Sequence, residues 1–430
     1  MSETRELHWA TLGCGVIANE LANALAKQGR KLYSVANRTH DKAVAFAEKY
    51  GIDKVYDSID EVFDDPNVDV IYISTPHNTH IAYLRKALAK GKHVLCEKSI
   101  TLNSSELEEA VKLAEENHVI LAEAMTIYHM PLYRKLRSIV NSGTLGPLRL
   151  IQVNFGSYKE YDMNNRFFNR NLAGGAMLDI GVYSLSLIRM FFSETANQVS
   201  SQVKYAPTGV DEQAGILLMN PAGEMATVTL SLHAKQPKRA TIAFDKGYIE
   251  IFEYPRSMEA TITYTEDGHK EVIKEGNTAD ALYYEVSDME KAILADDSST
   301  IAEFTRLPYT IDVMKIMTDI RNEWGMKYLE EKMRTASETM EFEKAIEYRD
   351  LLDSVRKVAQ KQKITSQSME DRDIIAMAKD ERDAVVQVFF VRDGKLIGRE
   401  HFHMNLTGSG SARQKAKYRE QRANRGKGRK

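Results

Sequence analysis

The sequence holds 430 residues, 43% of them hydrophobic, with a formal net charge of −3. That length points to two or three domains, and the apolar fraction excludes wholesale disorder. Its two cysteines, Cys14 and Cys96, are too few for a disulfide framework or a zinc site. No run of about 18 uncharged apolar residues marks a membrane span, and no charged-then-apolar leader opens the chain. A cytoplasmic protein with reduced thiols is therefore expected. Charge is uneven: residues 411–430 hold nine Lys and Arg against the single acid Glu420, which leaves the remainder acidic.

The chain opens with the apolar run His8-Trp9-Ala10-Thr11-Leu12, followed by Gly13-Cys14-Gly15-Val16-Ile17-Ala18. A helical pattern through Leu21, Leu25 and Ala26 ends at Gln28-Gly29, and Leu32–Ala36 reads as a second strand breaking at Asn37-Arg38. This is a βαβ unit with a dinucleotide fingerprint in its first turn. Gly13 permits the tight turn, Gly15 admits a pyrophosphate, and Ala18 lets helix pack on strand. Val16 and Ile17 open the helix whose N-terminus faces the phosphates.

The βα rhythm then continues. Helices at 42–49 and 59–63 precede the buried-type strand Val68–Ile73, which ends in Ser74-Thr75-Pro76-His77-Asn78-Thr79-His80. A helix at 81–89, the strand His93–Cys96 with its end Glu97-Lys98-Ser99, a helix at 105–117 and a strand at 119–122 complete a doubly wound parallel sheet. Ligands bind such sheets at the carboxyl ends of the strands. Thr75, Pro76, His80, Glu97, Lys98 and Glu123 are thereby expected along one crevice beside the glycine loop.

From about residue 148 short strands follow at close spacing (148–155, 214–219, 225–232, 239–244, 248–252, 258–264), which predicts an open antiparallel sheet in a second, α+β domain. Within it Gly174-Gly175 opens a helix to about Phe192 that places Asp179 and Tyr183 on one face. Helices at 281–294 and 308–324 close this part. At about Tyr328 the character changes to two charged amphipathic helices, 329–340 and 342–362, and then to strands at 374–378, 384–391 and 396–401, the last two joined by Asp393-Gly394. A Gly408-Ser409-Gly410-Ser411 linker precedes the basic tail. The expected divisions are 1–125, 126–328, 329–362, 363–407 and 408–430, with no internal repeat.

Lys98 at a strand end can polarise a substrate oxygen and position a nicotinamide ribose. Asp179 and Tyr183 add a carboxylate and a phenol, and a tyrosine can exchange a proton with a carbinol oxygen when a cation lowers its pKa. His80 either caps a strand end or touches the cofactor. No cluster has metal-ligand spacing, so no metal is expected. The position that binds the ribose 2′-hydroxyl in NAD sites reads Ala36-Asn37-Arg38-Thr39, without a carboxylate until Asp41. Arg38 suits a 2′-phosphate, so NADP(H) is expected over NAD(H), with NAD as the alternative.

Residues 7–328 resemble the Gfo/Idh/MocA oxidoreductases. The resemblance rests on the glycine loop, Thr75-Pro76 with His80, Glu97-Lys98, and Gly174-Gly175 with Asp179 and Tyr183. It implies a Rossmann domain, an antiparallel sheet used in homo-oligomerisation, and hydride transfer at the carbinol or carbonyl carbon of a sugar, polyol or dihydrodiol-like substrate. Lys98 takes the family lysine's place, and Tyr183 matches the tyrosine-using branch. Ser99 replaces the usual proline after Glu-Lys, from which a looser lysine or an altered site is expected. The segment Thr126–Met130 lacks the family's aromatic–arginine pattern. A nucleotide-binding sensor without turnover is the rival reading.

Residues 329–404 are similar to the UVR motif and following segment of the UvrC excision-repair nuclease. Glu331-Lys332-Met333, Ala336, Met340–Glu343, Ala345, Tyr348-Arg349-Asp350 and Val388–Gly394 carry this likeness. It implies a helical hairpin that docks on a UvrB-type partner, hence a DNA-repair-associated binding role. The resemblance is expected to stop near Met404, short of the nuclease domain that follows, so no nuclease activity is expected. The basic tail reads as a solvated end or a weak polyanion binder.

Overall fold

Runs of buried β-branched and aromatic residues alternate with amphipathic helices through the first part of the chain, and they assemble into a six-stranded parallel sheet. In the computed structural model, which describes residues 6–364, 372–379, 383–392 and 395–405, its strands are β1 (Trp9–Leu12), β2 (Ser34–Ala36), β3 (Lys54–Val55), β4 (Val70–Ile73), β5 (His93–Glu97) and β6 (Leu121–Ala124). Their order is β3-β2-β1-β4-β5-β6. Every residue of β1 and β4 is buried, as expected for a parallel sheet covered on both faces. The connecting helices are α1 (Val16–Lys27), α2 (His40–Tyr50), α3 (Glu61–Asp64), α4 (His80–Ala89) and α5 (Ser104–Glu116). Strand order reverses at β1, so the binding crevice lies at the carboxyl ends of β1 and β4. The two-residue β3 is too short to leave a periodicity in the sequence.

Helices α6 (Thr126–His129) and α7 (Pro131–Asn141) lead into a second sheet. It contains β7 (Leu148–Gly156), then α8 (Val182–Phe191) as a crossover, then β8 (Gln198–Tyr205), β9 (Asp211–Met219), β10 (Met225–Ser231), β11 (Gln236–Phe244), β12 (Gly247–Phe252), β13 (Glu259–Tyr264) and β14 (Lys270–Lys274). The order is β14-β13-β12-β11-β7-β10-β9-β8. The sheet is antiparallel as expected except at its middle, where β7 and β10 run parallel. The long crossover through α8 returns the chain in the same direction, and strand spacing in sequence carries no sign of that. One face buries residues such as Ala226, Val228 and Leu230, while Leu217, Met225 and Phe252 on other positions stay exposed. The segment Arg170–Phe191 is long and apolar enough to cross a membrane by composition, yet 67% of its most apolar window is buried inside the fold.

Helices α9 (Ala281–Ile293), α10 (Ser298–Thr305) and α11 (Leu307–Glu338) follow. The expected helix break near Tyr328 does not occur: α11 runs through it, because Gly325 costs only about 1 kcal/mol against a run of strong helix formers. The chain falls into two units, up to Trp324 and from Gly325. In the second, α12 (Phe342–Ile364) packs back on the end of α11, with Ala336 and Leu352 buried and Arg356 donating to Glu330 at 2.6 Å. Met340, at φ +60°, makes the turn. Strands β15 (Arg372–Lys379), β16 (Asp383–Arg392) and β17 (Lys395–Asn405) form an antiparallel sheet in sequence order. The expected Asp393-Gly394 turn and the 408–430 tail lie outside the described residues.

Candidate active site

Strand β1 ends at Gly13, which adopts φ +109°, and a Cβ there would lie 2.8 Å from Ser74 Oγ at the end of β4. Only glycine lets the two strand ends meet this closely. Gly15 caps α1, and a Cβ on it would meet nothing within 4 Å. The first turn of α1 carries neither a side-chain cap nor an acid, and Val16 is 80% exposed while Ala18 is fully buried against the sheet. Uncapped N–H groups, an open approach over Gly15 and the positive helix end together fit a pyrophosphate. At the far end of β2, Asn37 is held by its amide to the Thr39 carbonyl at 2.9 Å, and Arg38 is exposed beside it. This end fits a phosphorylated ribose.

Lys98 immediately follows β5. Its Nζ donates to the Asp179 carbonyl at 2.7 Å and to Asp179 Oδ1 at 3.2 Å, and lies 4.8 Å from the centroid of the Tyr183 ring. The three residues expected to do chemistry therefore converge, although two sequence-distant segments supply them. Asp179 lies in a π-helical turn, Met177–Gly181, that leads into α8, where Tyr183 sits. Gly175, at φ +126°, opens this segment, and a Cβ there would overlap the Asp211 carboxylate, whose Oδ2 accepts from Met177 N at 2.6 Å.

Of the two outcomes expected from Ser99, the looser lysine is not seen, because Lys98 Nζ is bonded to Asp179. The Lys98–Ser99 peptide is cis, and Ser99 Oγ donates to the Leu178 carbonyl at 2.9 Å, so the β5 end is bonded to the turn that carries Asp179. The Asp179 carboxylate engages Lys98 and, at 3.6 Å, Arg166. His80 is placed below the crevice rather than in it. It is fully buried, with Nε2 at 2.8 Å from the Thr75 carbonyl and Nδ1 at 3.0 Å from that of Ser99, so it ties the β4 and β5 ends together and cannot touch a cofactor. Thr75 and Pro76 stay at the crevice, where Thr75 Oγ1 accepts from Thr79 and Pro76 lines a small cleft with His77, Arg166, Phe167 and Asp179. Thr126–Met130 serves packing: Thr126 donates to the Pro255 carbonyl at 2.7 Å, and His129 pairs with Asp288 at 3.0 Å.

Burial pushes the Lys98 amine down, but Asp179, Tyr183 and Glu97 outweigh it and hold the ammonium above its ordinary range. Burial also opposes ionisation of Asp179, and Lys98 and Arg166 overcome it, leaving the carboxylate charged below its ordinary range. Burial raises the Tyr183 phenol, and Lys98 cancels only part of that. The resting site thus presents an ammonium and a neutral phenol side by side.

Glu97 and Glu123 were expected along the crevice, whereas His77, Arg166 and Glu285 gave no sequence signal. His77 Nε2 lies 2.9 Å from the Lys98 carbonyl; burial, then the Lys98 charge, takes it down to about 3, so it is neutral. Beneath the lysine, Glu97 accepts from the Tyr72 hydroxyl at 2.5 Å and is raised by burial. Glu123 accepts from Ile100 N at 3.0 Å and from Thr310 Oγ1 at 3.1 Å, and burial pushes it up to about 7. Glu285 is fully buried with neither carboxyl oxygen hydrogen-bonded, and burial, then Glu97, raises it far above its ordinary range. Among the described residues no three His, Cys, Asp or Glu side chains cluster so as to hold a metal.

A glycine-loop cradle for a dinucleotide, opening onto a buried lysine, carboxylate and phenol, defines a nicotinamide-dependent oxidoreductase. The profile "Oxidoreductase family, NAD-binding Rossmann fold" matches residues 7–125, and the "GFO/IDH/MocA C-terminal domain" matches residues 133–250. The chain is 34% identical over 251 residues to the trans-1,2-dihydrobenzene-1,2-diol dehydrogenase of Mus musculus, covering 57% of this chain and 74% of that one. The human enzyme of the same name is 33% identical over 249 residues, at the same coverage. The chain belongs to the Gfo/Idh/MocA oxidoreductase family. Two solved structures share its fold. One is a 3-ketoreductase from Actinomadura kijaniata with NADP and TDP-benzene (TM-score 0.65, 20% identity, 74% of this chain and 97% of that one). The other is an aldose-aldose oxidoreductase from Caulobacter crescentus (TM-score 0.66, 22% identity, the same coverage).

The second unit matches the "UvrB/uvrC motif" over residues 327–358 and the "UvrC Ribonuclease H-like domain" over residues 371–417. The second match corrects the expectation that the likeness stops near Met404 ahead of the nuclease domain: residues 371–417 resemble part of that domain itself.

Proposed function

We propose that the chain transfers hydride between NADP(H) and the CH–OH carbon of a sugar, polyol or dihydrodiol-like substrate. The observation that carries this reading is the convergence of Lys98, Asp179 and Tyr183 at the mouth of the glycine-loop crevice. A bound nicotinamide supplies or accepts the hydride. Gly13, Gly15, Val16 and Ile17 hold the pyrophosphate, Ala18 seats the helix on the sheet, and Asn37 and Arg38 take the 2′-phosphorylated ribose. Thr75, Pro76 and the Glu97-Lys98 strand end flank the nicotinamide ribose. Lys98 donates a hydrogen bond to the reacting oxygen and stabilises the charge that develops on it. Tyr183 exchanges that oxygen's proton: burial keeps the phenol protonated at rest, and the Lys98 charge, which offsets part of that burial, assists the phenol in giving its proton during carbonyl reduction. Asp179 keeps the amine charged and aimed, and Phe167 offers an apolar wall beside it. The dihydrodiol dehydrogenases and sugar reductases among the relatives support the substrate class.

Screening dihydrodiols, sugars and polyols for absorbance change at the reduced-nicotinamide band tests the reading. Turnover with any of them supports catalysis. Saturable NADP(H) binding with no turnover across the panel replaces it with a nucleotide sensor.

For the second unit, the hairpin exposes Phe342, Ile346 and Leu351 and shapes a groove of about 1170 Å³ lined by Met333, Phe342, Ile346 and Leu352 with flanking charges. Such a face supports docking of a UvrB-type helical partner without incision. Self-association through the open sheet, a cytoplasmic location and weak polyanion binding by the tail complete the proposal.

A further inference from the structure

Away from the crevice, α7, α10 and the start of α11 line a further, open pocket of about 770 Å³, large enough for a small organic ligand. It shares no lining residue with the cleft at Asp179. Three arginines reach it: Arg134 and Arg137 from α7, and Arg306 from the α10–α11 junction.

Their charges are poorly compensated. Asp288 answers Arg134 but is shared with Lys291 at 3.3 Å and with His129 at 3.0 Å. Arg137 donates to the Tyr309 hydroxyl at 3.1 Å and has no ion-pair partner among the described residues. Arg306 is the anomaly. Its guanidinium is half-buried and has no hydrogen-bond or ion-pair partner among the described residues, only the Tyr309 ring with its centroid at 5.9 Å. Its backbone adopts φ +52°, an uncommon conformation for a bulky residue, as it turns the chain from α10 into α11. Tyr309 has Arg189 at 4.5 Å and Arg137 at 5.7 Å from the same ring centroid, although Arg189 is answered by Asp312 at 2.6 Å. The one acid on the cavity lining, Glu303, is exposed. Burial, and next the charge of Arg137, pull the Arg306 guanidinium below its ordinary range, which is the cost of an unmatched cation here.

Two forked guanidinium donors with no carboxylate in ion-pair or hydrogen-bond contact (Glu303 acts on Arg306 only through its charge), and a third half-neutralised beside them, suit a tetrahedral oxyanion. We propose that this cavity is a binding site for a phosphate-bearing small molecule, separate from the cofactor crevice, with Arg306 and Arg137 as its principal ligands and Arg134 at its side. The cavity volume leaves room for an organic portion beyond the phosphate, lying against Tyr309 and Pro308.

Inorganic pyrophosphate is the probe. The full chain, saturated with NADPH so that phosphate positions in the crevice are filled, is titrated calorimetrically at fixed ionic strength. Saturable binding is expected in the parent, weakened about tenfold or more in Arg306→Gln and in Arg137→Gln. The same affinity loss in Arg306→Lys, which keeps the charge but not the fork, would assign the fork geometry to the site. Unchanged thermal midpoints and NADPH affinity in the variants show that they fold. Absent saturable binding in the parent, or binding unaffected in both glutamine variants, overturns the proposal and assigns any pyrophosphate uptake to the crevice or the basic tail.

Discussion

The Lys98 ammonium lies over the Tyr183 ring, 4.8 Å from its centroid, while Asp179 holds the same nitrogen from the other segment's backbone and side chain. If the pair polarises and protonates the reacting oxygen, Lys98→Met and Tyr183→Phe should each lower kcat by about 10²- to 10⁴-fold. The glycine loop and Arg38 carry the cofactor's phosphates, so although Lys98 flanks the nicotinamide ribose the NADP(H) dissociation constant should stay within roughly threefold. Steady-state kinetics beside fluorescence titration of NADPH check both halves. Full turnover in either variant rejects the assignment of that residue.

Asp179 should act through Lys98. Its carboxylate is the main influence holding the amine above its ordinary range against burial. In Asp179→Asn the amine loses its proton at lower pH, so the alkaline limb of the kcat/KM profile should move to lower pH. A profile that only drops in height, with no shift of that limb, would confine Asp179 to substrate contact.

Arg38 should set cofactor choice. It stands exposed at the β2 end with no acid beside it until Asp41, and a charge-assisted bond to a phosphate is worth roughly 1.5–3 kcal/mol. Arg38→Ala should weaken NADP(H) about tenfold or more and leave NAD(H) nearly unchanged. Comparable weakening of both cofactors would remove Arg38 from the 2′-phosphate.

Glu123 should make stability depend on pH. Buried and raised from 4.5 to about 7, it favours the folded chain fully below pH 4.5, and that contribution is lost as pH rises through about 7. At about 1.4 kcal/mol per unit, the difference amounts to about 3 kcal/mol across this window. Glu123→Gln keeps an acceptor for Ile100 N and cannot ionise, so urea unfolding of the variant should lose that share of the pH dependence. Parallel pH curves for the two proteins would show that Glu123 does not titrate there.

The second unit should bind without cutting. Metal-assisted phosphodiester cleavage needs clustered carboxylates, and none of the described residues supplies such a group. Supercoiled DNA incubated with the full chain and Mg²⁺ or Mn²⁺ should remain unnicked. Nicking abolished by replacing acids within 371–417 would show that the matched part of the ribonuclease H-like domain is active.

Local chemistry made much of this molecule readable from its sequence. Gly13, Gly15 and Ala18 sit at spacings a phosphate loop demands, the buried runs of β1, β4 and β5 are continuous in the chain, and Lys98 follows its strand directly. Each depends on neighbours within a few residues. The parallel pairing of β7 with β10 within the second sheet, the passage of α11 through Tyr328, the withdrawal of His80 from the crevice, the approach of His77 and Arg166 to Lys98 and Asp179, and the burial of Glu285 beside Glu97 were decided only by the tertiary structure. Burial and long-range electrostatics depend on which segments meet. A histidine becomes a strand clamp, and a glutamate a buried neutral acid, only when residues far away in the chain remove its water. The same holds for Arg137 and Arg306, which read as ordinary surface residues on two separate segments until the fold brings their unpaired charges to one cavity beside Tyr309.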